Sequence, residues 1–557
     1  MKVMATFEEG KREEKILKLR RKEEEETVKL LAEKYRLPYA DLSTIPINVD
    51  ALGMVKEAEA RSGELAVIQK FGKNLEIAVR NPEAPKTKAL LQRLADQGYR
   101  HDLYLVSRSS LGKAWRDYAH LKRQERFRSG EIQVSAERLE ELRPRLKTLP
   151  EITKFLGEMK GARTTEVLEV ILAGGLETDA SDIHLEPQAE TVRLRYRLDG
   201  VLNDAGALAH EAYKFLLSRI KLIAEMKLNV RTRGQDGRFT IKSGGLEMEV
   251  RASTLPGPYG ENIVLRVLNP KTIGIGFGDL GMQPWIAAAM ERELKKPNGM
   301  ILTTGPTGSG KTTTLYAFVR SVHKPGVKII TLEDPIEYHL PGIEQTQVEP
   351  EAGYDFSSGL RSILRQDPDV VLVGEIRDLE TAQTAMHASL TGHLVFSTLH
   401  TNDAAGTIPR LLDLGVDPAI MAPALNVTMA QRLVRKLCHQ CKNQYAAAEN
   451  EVRDIRRELD ALPPGVPKPT LKKKLTLSKA VGCAECNNTG YKGRTGVFEI
   501  ILVDDTVAEL VFQKPSEVEI KKAAREQGQM TMRQDAIFKV LAAITDLAEV
   551  ERVVGIG

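Results

Sequence analysis

The sequence has no long hydrophobic run and almost no net charge. No stretch of its 557 residues approaches the roughly 18 uninterrupted apolar positions of a membrane-spanning helix. The opening segment, MKVMATFEEGKREEKILKLRRKEEEETVK, lacks the apolar core of a secretory signal peptide. A formal charge of +4 over this length argues against a broad basic face for nucleic acid. We therefore expect a cytoplasmic protein without a nucleic-acid partner.

Cysteine is also scarce, with four residues in the whole chain. They form two C-x-x-C pairs, Cys438 with Cys441 and Cys483 with Cys486, and leave no odd thiol. Because cytoplasmic thiols stay reduced, this arrangement indicates a zinc site with four thiolate ligands, and a redox dithiol or disulfide is the alternative. A closed four-cysteine site leaves no coordination position for chemistry, so we expect a structural role.

Charge and periodicity divide the chain into six regions. Stretches dense in charges of both signs are typical of a solvated arm or linker. Apolar and polar residues that alternate predict an antiparallel sheet with one covered face, whereas strands that alternate with helices predict a mostly parallel sheet. The predicted regions are a charged arm over 1–27, an α/β domain over 28–115, a charged linker over 116–160, an antiparallel-sheet domain over 161–284, a parallel-sheet domain over 285–435, and a cysteine-containing region over 436–557.

The parallel-sheet region contains a complete phosphate-binding loop. Gly305–Thr312 reads GPTGSGKT and fits G-x-x-x-x-G-K-[ST], between an apolar run that predicts a strand and TTTLYAFVR, which predicts a helix. Glycines let the backbone approach the phosphates, Lys311 can reach the β- and γ-phosphates, and Thr312 can hold Mg²⁺. We expect the chain to bind ATP or GTP. The candidate ligands are Gly305, Pro306, Thr307, Gly308, Ser309, Gly310, Lys311, Thr312 and Thr313.

Acidic residues follow two other predicted strands of this region. VVLVGE ends in Glu375, and KIITLEDPIE contains Glu333, Asp334 and Glu337. Because nucleotide sites lie at the carboxyl ends of parallel strands, we expect Glu333 and Glu375 to face one phosphate. One would orient water and the other would serve the metal, and the spacing leaves open which does which.

Two histidines bracket the strand pattern HLVFSTLH. Seven positions separate His393 from His400, which places the imidazoles on opposite faces of a strand. We expect His400, where the strand ends, to sense the γ-phosphate. His393, where it begins, either contacts the nucleotide or caps the preceding helix.

Arginines recur along the antiparallel-sheet region. The group consists of Arg193, Arg195, Arg197, Arg219, Arg231, Arg233 and Arg238. A solvated basic face is one interpretation. The other is that some of them act as arginine fingers on the P-loop of the next subunit, and Arg195, Arg197 and Arg219 are our candidates.

Four segments, in this order, resemble the secretion ATPase superfamily, and within it the type IV pilus assembly and type II secretion ATPases. They read GPTGSGKTTTLYA, ITLEDPIEYHLPGIEQTQV, LRQDPDVVLVGEIRDLETAQTAMHASLTGHLVFSTLHTND and CHQC…CAECNNTGYKGRTGVFEI, and the resemblance covers about residues 165–557. It implies an α/β multidomain protein: a RecA-like P-loop ATPase core preceded by a PAS-like α+β domain, with an N-terminal α/β domain and a zinc-stapled C-terminal region. It also implies an Asp box at Glu333, Asp334 and Glu337, and a His box from His393 to His400.

The same resemblance implies a homohexameric ATPase on the cytoplasmic face of the inner membrane, with Mg²⁺ and Zn²⁺ as cofactors. The ring would act on an inner-membrane platform protein and extend a pilus or a type II secretion pseudopilus. A pilus retraction ATPase and a ring that translocates nucleic acid are the alternatives. The four-cysteine insert and the long N-terminal region favour extension, and the low net charge weighs against a translocase. Some members bind a cyclic dinucleotide after an Arg-Leu-Gly opening, which KREEKILKLRRKEEEE does not contain.

Overall fold

The structure, a computed structural model, divides into two compact units, Met1–Ile132 and Gln133–Gly557. It describes residues 23–42, 49–71, 74–116, 118, 131–133, 141–142, 145–159, 162–243, 246–268, 274–471 and 474–555. Within these residues no helix is both long and apolar enough to cross a membrane. Residues 1–22 of the predicted arm lie outside this description, and the remainder of the arm begins a helix over 23–35.

The first unit is built on a three-stranded sheet. Strand β1 (Leu65–Phe71) pairs antiparallel with β2 (Asn74–Val79), and β2 pairs parallel with β3 (Arg100–Leu105). The helix Pro85–Asp96 buries its leucines in the apolar core of this unit, as the α/β pattern predicts. In the described part of this unit the helices are 23–35, Val49–Leu52, Glu57–Ser62, Pro85–Asp96 and Arg108–Arg116.

The second unit contains the predicted antiparallel sheet, which we call the middle sheet. Its strands within this unit are β5 (Asp182–Pro187), β6 (Val192–Leu198), β7 (Val201–Leu208), β8 (Gln235–Ser243), β9 (Leu246–Gly257) and β10 (Gly260–Leu268), in the order β8-β9-β10-β5-β6-β7, whereas the short strand β4 (Glu131–Gln133) falls where the chain passes from one unit to the next. Strand β6 buries every second side chain, and its arginines lie on the other face. The helices of this region are Leu149–Glu158, Thr164–Glu177 and His210–Ile223.

The predicted linker over 116–160 contains the first of these helices. Thr148 and Glu151 form a capping box that begins Leu149–Glu158. Thr153 Oγ1 donates a hydrogen bond of 3.0 Å to the carbonyl of Ala205 on β7. The charge-rich composition concealed the buried apolar face of this helix, so residues 149–158 belong to the middle domain rather than to a linker.

A seven-stranded sheet carries the P-loop. Its strands are β11 (Gly299–Thr304), β12 (Ile329–Glu333), β13 (Glu344–Gln347), β14 (Val370–Val373), β15 (Leu394–Leu399), β16 (Leu425–Leu437) and, after the hairpin of β17 (Asn443–Ala446) and β18 (Thr476–Lys479), β19 (Tyr491–Leu502). The order is β13-β12-β14-β15-β11-β16-β19. All pairs are parallel except β16 with β19, which confirms the predicted parallel sheet.

Helices cover both faces of this sheet, and its apolar strands form two buried clusters with them. The predicted boundary at 435/436 falls inside β16, and β19 returns to the sheet from the cysteine-containing region. The remaining α-helices are Pro284–Leu294, Lys311–Val322, Phe356–Leu364, Leu379–Leu390, Thr407–Asp413, Pro418–Ala424, Glu449–Asp460, Asp505–Phe512, Glu517–Glu526, Met532–Leu541 and Leu547–Val554, with short 3₁₀ helices at Phe277–Leu280, Pro350–Ala352 and Ala484–Cys486.

Candidate functional site

The P-loop connects the end of β11 to the helix Lys311–Val322. Gly305, Gly308 and Gly310 have φ values of 147°, 79° and 91°, a region that favours glycine. A Cβ at Gly305 would lie 2.6 Å from the carbonyl oxygen of Gln431 on β16, and one at Gly310 would lie 2.8 Å from Gln431 Nε2. A Cβ at Gly308 would meet nothing within 4 Å. The first and third glycines therefore let the loop pack on β16, and the middle one faces open space.

Donors of this loop are arranged to receive an anion. Lys311 Nζ donates hydrogen bonds to the carbonyls of Gly305 (2.7 Å) and Pro306 (3.2 Å), so the ammonium folds over the loop. Burial lowers the pKa of Lys311, and the carboxylate of Glu375 opposes this effect. Ser309 Oγ is buried and has no partner in the described part of the chain. A helix N-terminus with such donors fits a nucleotide phosphate, and Thr312 presents an exposed hydroxyl that could hold Mg²⁺.

Glu375 follows β14 at the same edge of the sheet. Its side chain is 18% exposed and forms an ion pair with Arg377, while His400 Nε2 lies 3.4 Å from its other carboxylate oxygen. Arg377 also lies 3.5 Å from Asp334, and the hydrogen bond that Arg377 donates to Glu375 raises the pKa of Arg377. The structure thus gathers Glu375, His400, Asp334 and Lys311 at one edge. Arg377 lies among them, and sequence reasoning did not single it out. The sequence signal that could have identified Arg377 is its position two residues after Glu375, the acid that follows a predicted strand.

Glu333 has different surroundings. It is 3% exposed, and both of its carboxylate oxygens accept hydrogen bonds from side chains of the protein. Tyr316 of the P-loop helix donates to one oxygen, while Thr331 Oγ1 (2.5 Å) and Gln345 Nε2 (3.1 Å) donate to the other. Burial, with the charge of Glu333, raises the pKa of Tyr316, so its hydroxyl stays a donor. Glu333 is therefore enclosed by protein, and that it faces one phosphate together with Glu375 stays a prediction.

The accessible acids of the same segment are Asp334 and Glu337, whose side chains are 35% and 30% exposed. Glu337 receives a contact from the middle domain. Arg251 on β9 donates to Glu337 Oε2 (3.2 Å) and to the carbonyl of Ile336 (2.7 Å). Sequence reasoning did not single out Arg251, although the alternation of LEMEVRAST already separated its face from the apolar one.

His393 lies at the start of β15, whereas His400 follows its end. The Nδ1–H of His393 donates a hydrogen bond to the carbonyl of Ala388 (2.9 Å) and caps the C-terminal end of the helix Leu379–Leu390. Because β11 and β15 are parallel, the P-loop lies at the opposite end of the strand from His393. Of the two roles expected for His393, the structure supports the helix cap and removes it from the nucleotide site.

The candidate arginines are engaged within the middle domain. Arg195 donates to Glu186 Oε1 (2.5 Å), and Arg197 lies 3.1 Å from Asp182 Oδ2. Both carboxylates project from β5, which pairs with β6. Arg219, on the helix His210–Ile223, is partly buried, and this burial lowers its pKa. The ion pairs of Arg195 and Arg197 thus lie within the middle domain.

The four cysteines meet in one cluster. Their Sγ atoms lie within 4.8 Å of one another, with separations of 3.9 Å for Cys438 and Cys483, 3.8 Å for Cys441 and Cys486, and 3.7 Å for Cys483 and Cys486. A tetrahedral zinc ion with Zn–S bonds of about 2.3 Å requires sulfurs roughly 3.8 Å apart. A disulfide requires about 2.05 Å, and all four cysteines are free. The geometry therefore fits a zinc ion held by four thiolates.

Backbone amides complete the surroundings of this cluster. The N–H groups of Gly482, Cys483 and Gly490 donate to sulfur at 3.2–3.3 Å. Such donors stabilise the negative charge of thiolates and orient them toward a metal. The cluster lies directly after β16 and before β19, so a bound zinc would join the two antiparallel strands at their outer end.

Comparison with known proteins agrees with this architecture. A family profile described as Type II/IV secretion system protein matches residues 158–552, and an MshEN domain profile matches residues 35–125. The chain is 44% identical over 405 residues to the type II secretion system protein E of Pseudomonas aeruginosa, covering 73% of this chain and 78% of that protein. It is 35% identical over 530 residues to the type IV pilus assembly ATPase PilB of Myxococcus xanthus, covering 95% and 91%.

The X-ray structure of the Legionella pneumophila ATPase DotB shares the fold, with a TM-score of 0.50 and 20% identity over 70% of this chain and 96% of that one. The family profile spans most of the chain. The structure adds a P-loop, a strand-end carboxylate and a histidine at one edge of the sheet, and together these findings assign the chain to a family. The chain belongs to the Type II/IV secretion system protein family, and it is an ATPase.

Proposed function

We propose that this ATPase is the motor of a machine that extends a filament of pilin-like subunits, either a type IV pilus or a type II secretion pseudopilus. The observation that carries the proposal is the cluster of Lys311, Glu375, His400 and Arg377 beside the P-loop. This cluster combines cations for phosphate oxygens with a carboxylate for metal or water, which is what ATP hydrolysis needs. The names of the two relatives support the choice of machine.

In the proposed site the backbone of Gly305–Thr313 and the ammonium of Lys311 hold the phosphates of ATP. Thr312 would hold Mg²⁺, and the bound ion would supply positive charge opposite the transferred phosphoryl group. Glu375 has the strand-end position of a metal-supporting acid. Glu337 is the accessible glutamate of its segment and orients the attacking water. His400, which lies 3.4 Å from Glu375, senses whether the γ-phosphate is present.

The working form is a homohexamer that associates with the cytoplasmic face of the inner membrane through a platform protein. Arg195, Arg197 and Arg219 complete the site of a neighbouring subunit. Their location on a domain that lacks a P-loop supports this role, because an arginine supplied by another element stabilises charge only when the assembly closes. Turnover should therefore depend on assembly, and light scattering coupled to size exclusion should show six chains in the active species.

A cellular test separates the candidate machines. Deleting the gene and restoring either the native sequence or Lys311→Ala should give pili or secretion only with the native sequence. Loss of surface pili with normal secretion identifies pilus assembly, and the reverse identifies type II secretion. Excess pili after deletion would indicate retraction and contradict the proposal. Unchanged pili and secretion with Lys311→Ala would also contradict it.

A further inference from the structure

We infer that Arg432 is a positioning residue for ATP hydrolysis, which holds the loop that follows His400 against the P-loop. Arg432 lies on β16, in the same domain as both loops. We call residues 401–406 the exit loop, because they follow His400 and precede the helix Thr407–Asp413. The inference rests on the ATP site proposed above, and it does not depend on which filament the motor extends.

Two consecutive side chains of β16 hold the P-loop and its helix from different sides. Gln431 is buried, and its side-chain oxygen accepts a hydrogen bond from Thr314 on the P-loop helix (2.8 Å). Because side chains alternate along a strand, Arg432 projects from the other face of β16. A Cβ at Gly305 would lie 3.1 Å from Nη1 of Arg432. The guanidinium therefore lies against the first residue of the P-loop.

The same guanidinium also contacts the exit loop. Its Nη2 donates to the carbonyl of Asn402 (3.0 Å), and its Nη1 donates to the carbonyl of Gln431 beside the P-loop (3.2 Å). A planar guanidinium can bind two carbonyls in fixed directions, whereas an ammonium is a point charge on a flexible stem. Burial lowers the pKa of Arg432, and the charges of Asp403 and Glu499 oppose this effect. Arg432 is thus a partly buried cation that joins the two loops.

His400 depends on the exit loop because its own side chain is largely exposed. The imidazole is 56% exposed and lies 3.4 Å from Glu375, so its direction depends on the backbone that carries it. Thr304, directly before the P-loop, fixes this backbone on both sides of His400. Its hydroxyl accepts from the amide of Thr401 (2.7 Å) and lies 3.1 Å from the carbonyl of Leu399. The strand that carries the P-loop thus anchors the start of the exit loop.

Arg432 extends this anchor to the next residue of the exit loop. Further along, the amide and the carbonyl of Ala404 bond to side chains of β19 and β16, both at 3.0 Å. Without Arg432, the carbonyl of Asn402 loses this donor, and the stretch that directly follows His400 can shift. A misplacement of about 1 Å in a catalytic group can lower a rate by roughly a hundredfold. Arg432 therefore makes the position of His400 depend on the P-loop.

The test compares Arg432→Ala and Arg432→Lys with Arg435→Ala in the full-length chain. Arg435 is a matched control, because it lies on the same strand but bonds to Glu549, a buried acid that keeps a second partner in Arg552 (2.6 Å). The measurements are kcat and KM for ATP, the melting temperature, and the displacement of a fluorescent ADP analogue by ADP and by a non-hydrolysable ATP analogue. The ratio of the two affinities reports recognition of the γ-phosphate, and a purely structural arginine would not change it.

We expect Arg432→Ala to lower kcat by about ten- to a hundredfold and the preference for the ATP analogue over ADP by about three- to tenfold. Affinity for ADP should stay within about twofold of native. His400→Ala should reduce the same preference, and the double variant should lose little more, because both changes act through one group. Arg432→Lys should recover at most part of the loss. Arg435→Ala should lower the melting temperature and keep kcat per folded chain within about twofold.

Native kcat or an unchanged preference in Arg432→Ala would overturn the inference. Equal losses of affinity for ADP and the ATP analogue would overturn it too, because Arg432 would then act on phosphates common to both, and so would additive losses in the double variant. If Arg432→Ala does not fold, Arg432→Lys and Arg432→Gln decide the matter by the same readouts. Native values in His400→Ala would refute the proposed γ-phosphate sensor itself, whereas altered values there beside native values in Arg432→Ala would refute only the role of Arg432.

Discussion

Two glutamates end neighbouring parallel strands of the ATPase sheet, yet they have opposite surroundings. Glu375 follows β14 at an open edge, where it meets Arg377 and His400. Glu333 ends β12 and is enclosed by Tyr316, Thr331 and Gln345. The same residue type at nearly the same level of the sheet is thus suited to chemistry in one case and to stability in the other.

Strand register explains the difference. Leu332 pairs with Val373, so Glu333 lies level with Gly374, and Asp334 lies level with Glu375. Because side chains alternate between faces, the single residue Gly374 places Glu375 on the side opposite to Glu333. Asp334, the true neighbour of Glu375 in register, shares Arg377 with it. The surroundings of an acid at a strand end therefore depend on its register in the sheet, and not only on its place in a motif.

The largest effect should come from Glu375→Gln. This change keeps the shape of the side chain but removes the charge at the open edge, so kcat should fall by about a hundred- to a thousandfold with little change in melting temperature. Phosphate release and a thermal melt measure the two quantities. Glu344→Gln, an exposed acid at the start of β13, is the control and should behave as the native chain. Native turnover in Glu375→Gln would contradict the chemical role that the comparison gives to Glu375.

Arg377→Ala should have the next largest effect. Arg377 joins Glu375 to Asp334, and its loss leaves two carboxylates without the cation between them, so we expect kcat to fall by about ten- to a hundredfold. Arg93→Ala removes a comparable surface pair with Glu59 in the first unit and should leave turnover unchanged. Equal turnover in the two variants would mean that the open edge does not need its bridging arginine.

The four-cysteine cluster is a second group of side chains that we expect to serve stability rather than chemistry, and removing zinc tests that role. The native chain should hold about one zinc ion per chain, measured by mass spectrometry of the metal. Cys441→Ser or chelation under reducing conditions should lower the melting temperature by several degrees, because bound zinc contributes folding free energy. Turnover per folded chain should change less than in Glu375→Gln. A metal-free preparation with disulfides would contradict this prediction.

Glu333→Gln should mainly reduce stability. A glutamine presents an NH₂ group where three protein donors face a carboxylate, so at least one donor loses its acceptor. The free energy of unfolding should fall by about 1–3 kcal/mol in urea titrations. Turnover per folded chain should stay within about tenfold of native. A variant as inactive as Glu375→Gln with native stability would restore Glu333 to the nucleotide site.

His393→Ala should have the smallest effect. Its ring caps one helix at the edge away from the P-loop, so we expect a loss of about 1 kcal/mol in stability and unchanged kcat. His400→Ala, the matched variant at the other end of β15, should lower kcat instead. Loss of turnover in His393→Ala alone would reverse the assignment of the two histidines.

Much of the fold and part of the site followed from sequence because they depend on local patterns. Buried apolar runs identified β11, β12, β14 and β15, and fixed spacing identified Lys311 and the four cysteines. Strand β16 was missed, because its LNVTMAQRLVRKL pattern mixes charged residues into a strand near the edge of the sheet.

The remaining features depend on contacts between elements that are distant in sequence. Nothing near Arg251 indicates Glu337, which lies 86 positions further along the chain. The enclosure of Glu333 by Tyr316 and Gln345 was not predicted, because burial is a property of packing and not of the motif. The helix Leu149–Glu158 was hidden in a charged stretch because only one of its faces is apolar.

The most direct test is an experimental structure of the assembled protein with Mg²⁺ and a non-hydrolysable ATP analogue. The account predicts that Lys311 contacts the β- and γ-phosphates and that the carboxylate of Glu375 lies within about 5 Å of the metal, in contact with its water shell. It also predicts that Glu333 keeps its hydrogen bonds to Tyr316 and Thr331. A structure in which Glu333 has turned out of the core to reach the metal, and Glu375 faces solvent, would contradict the account.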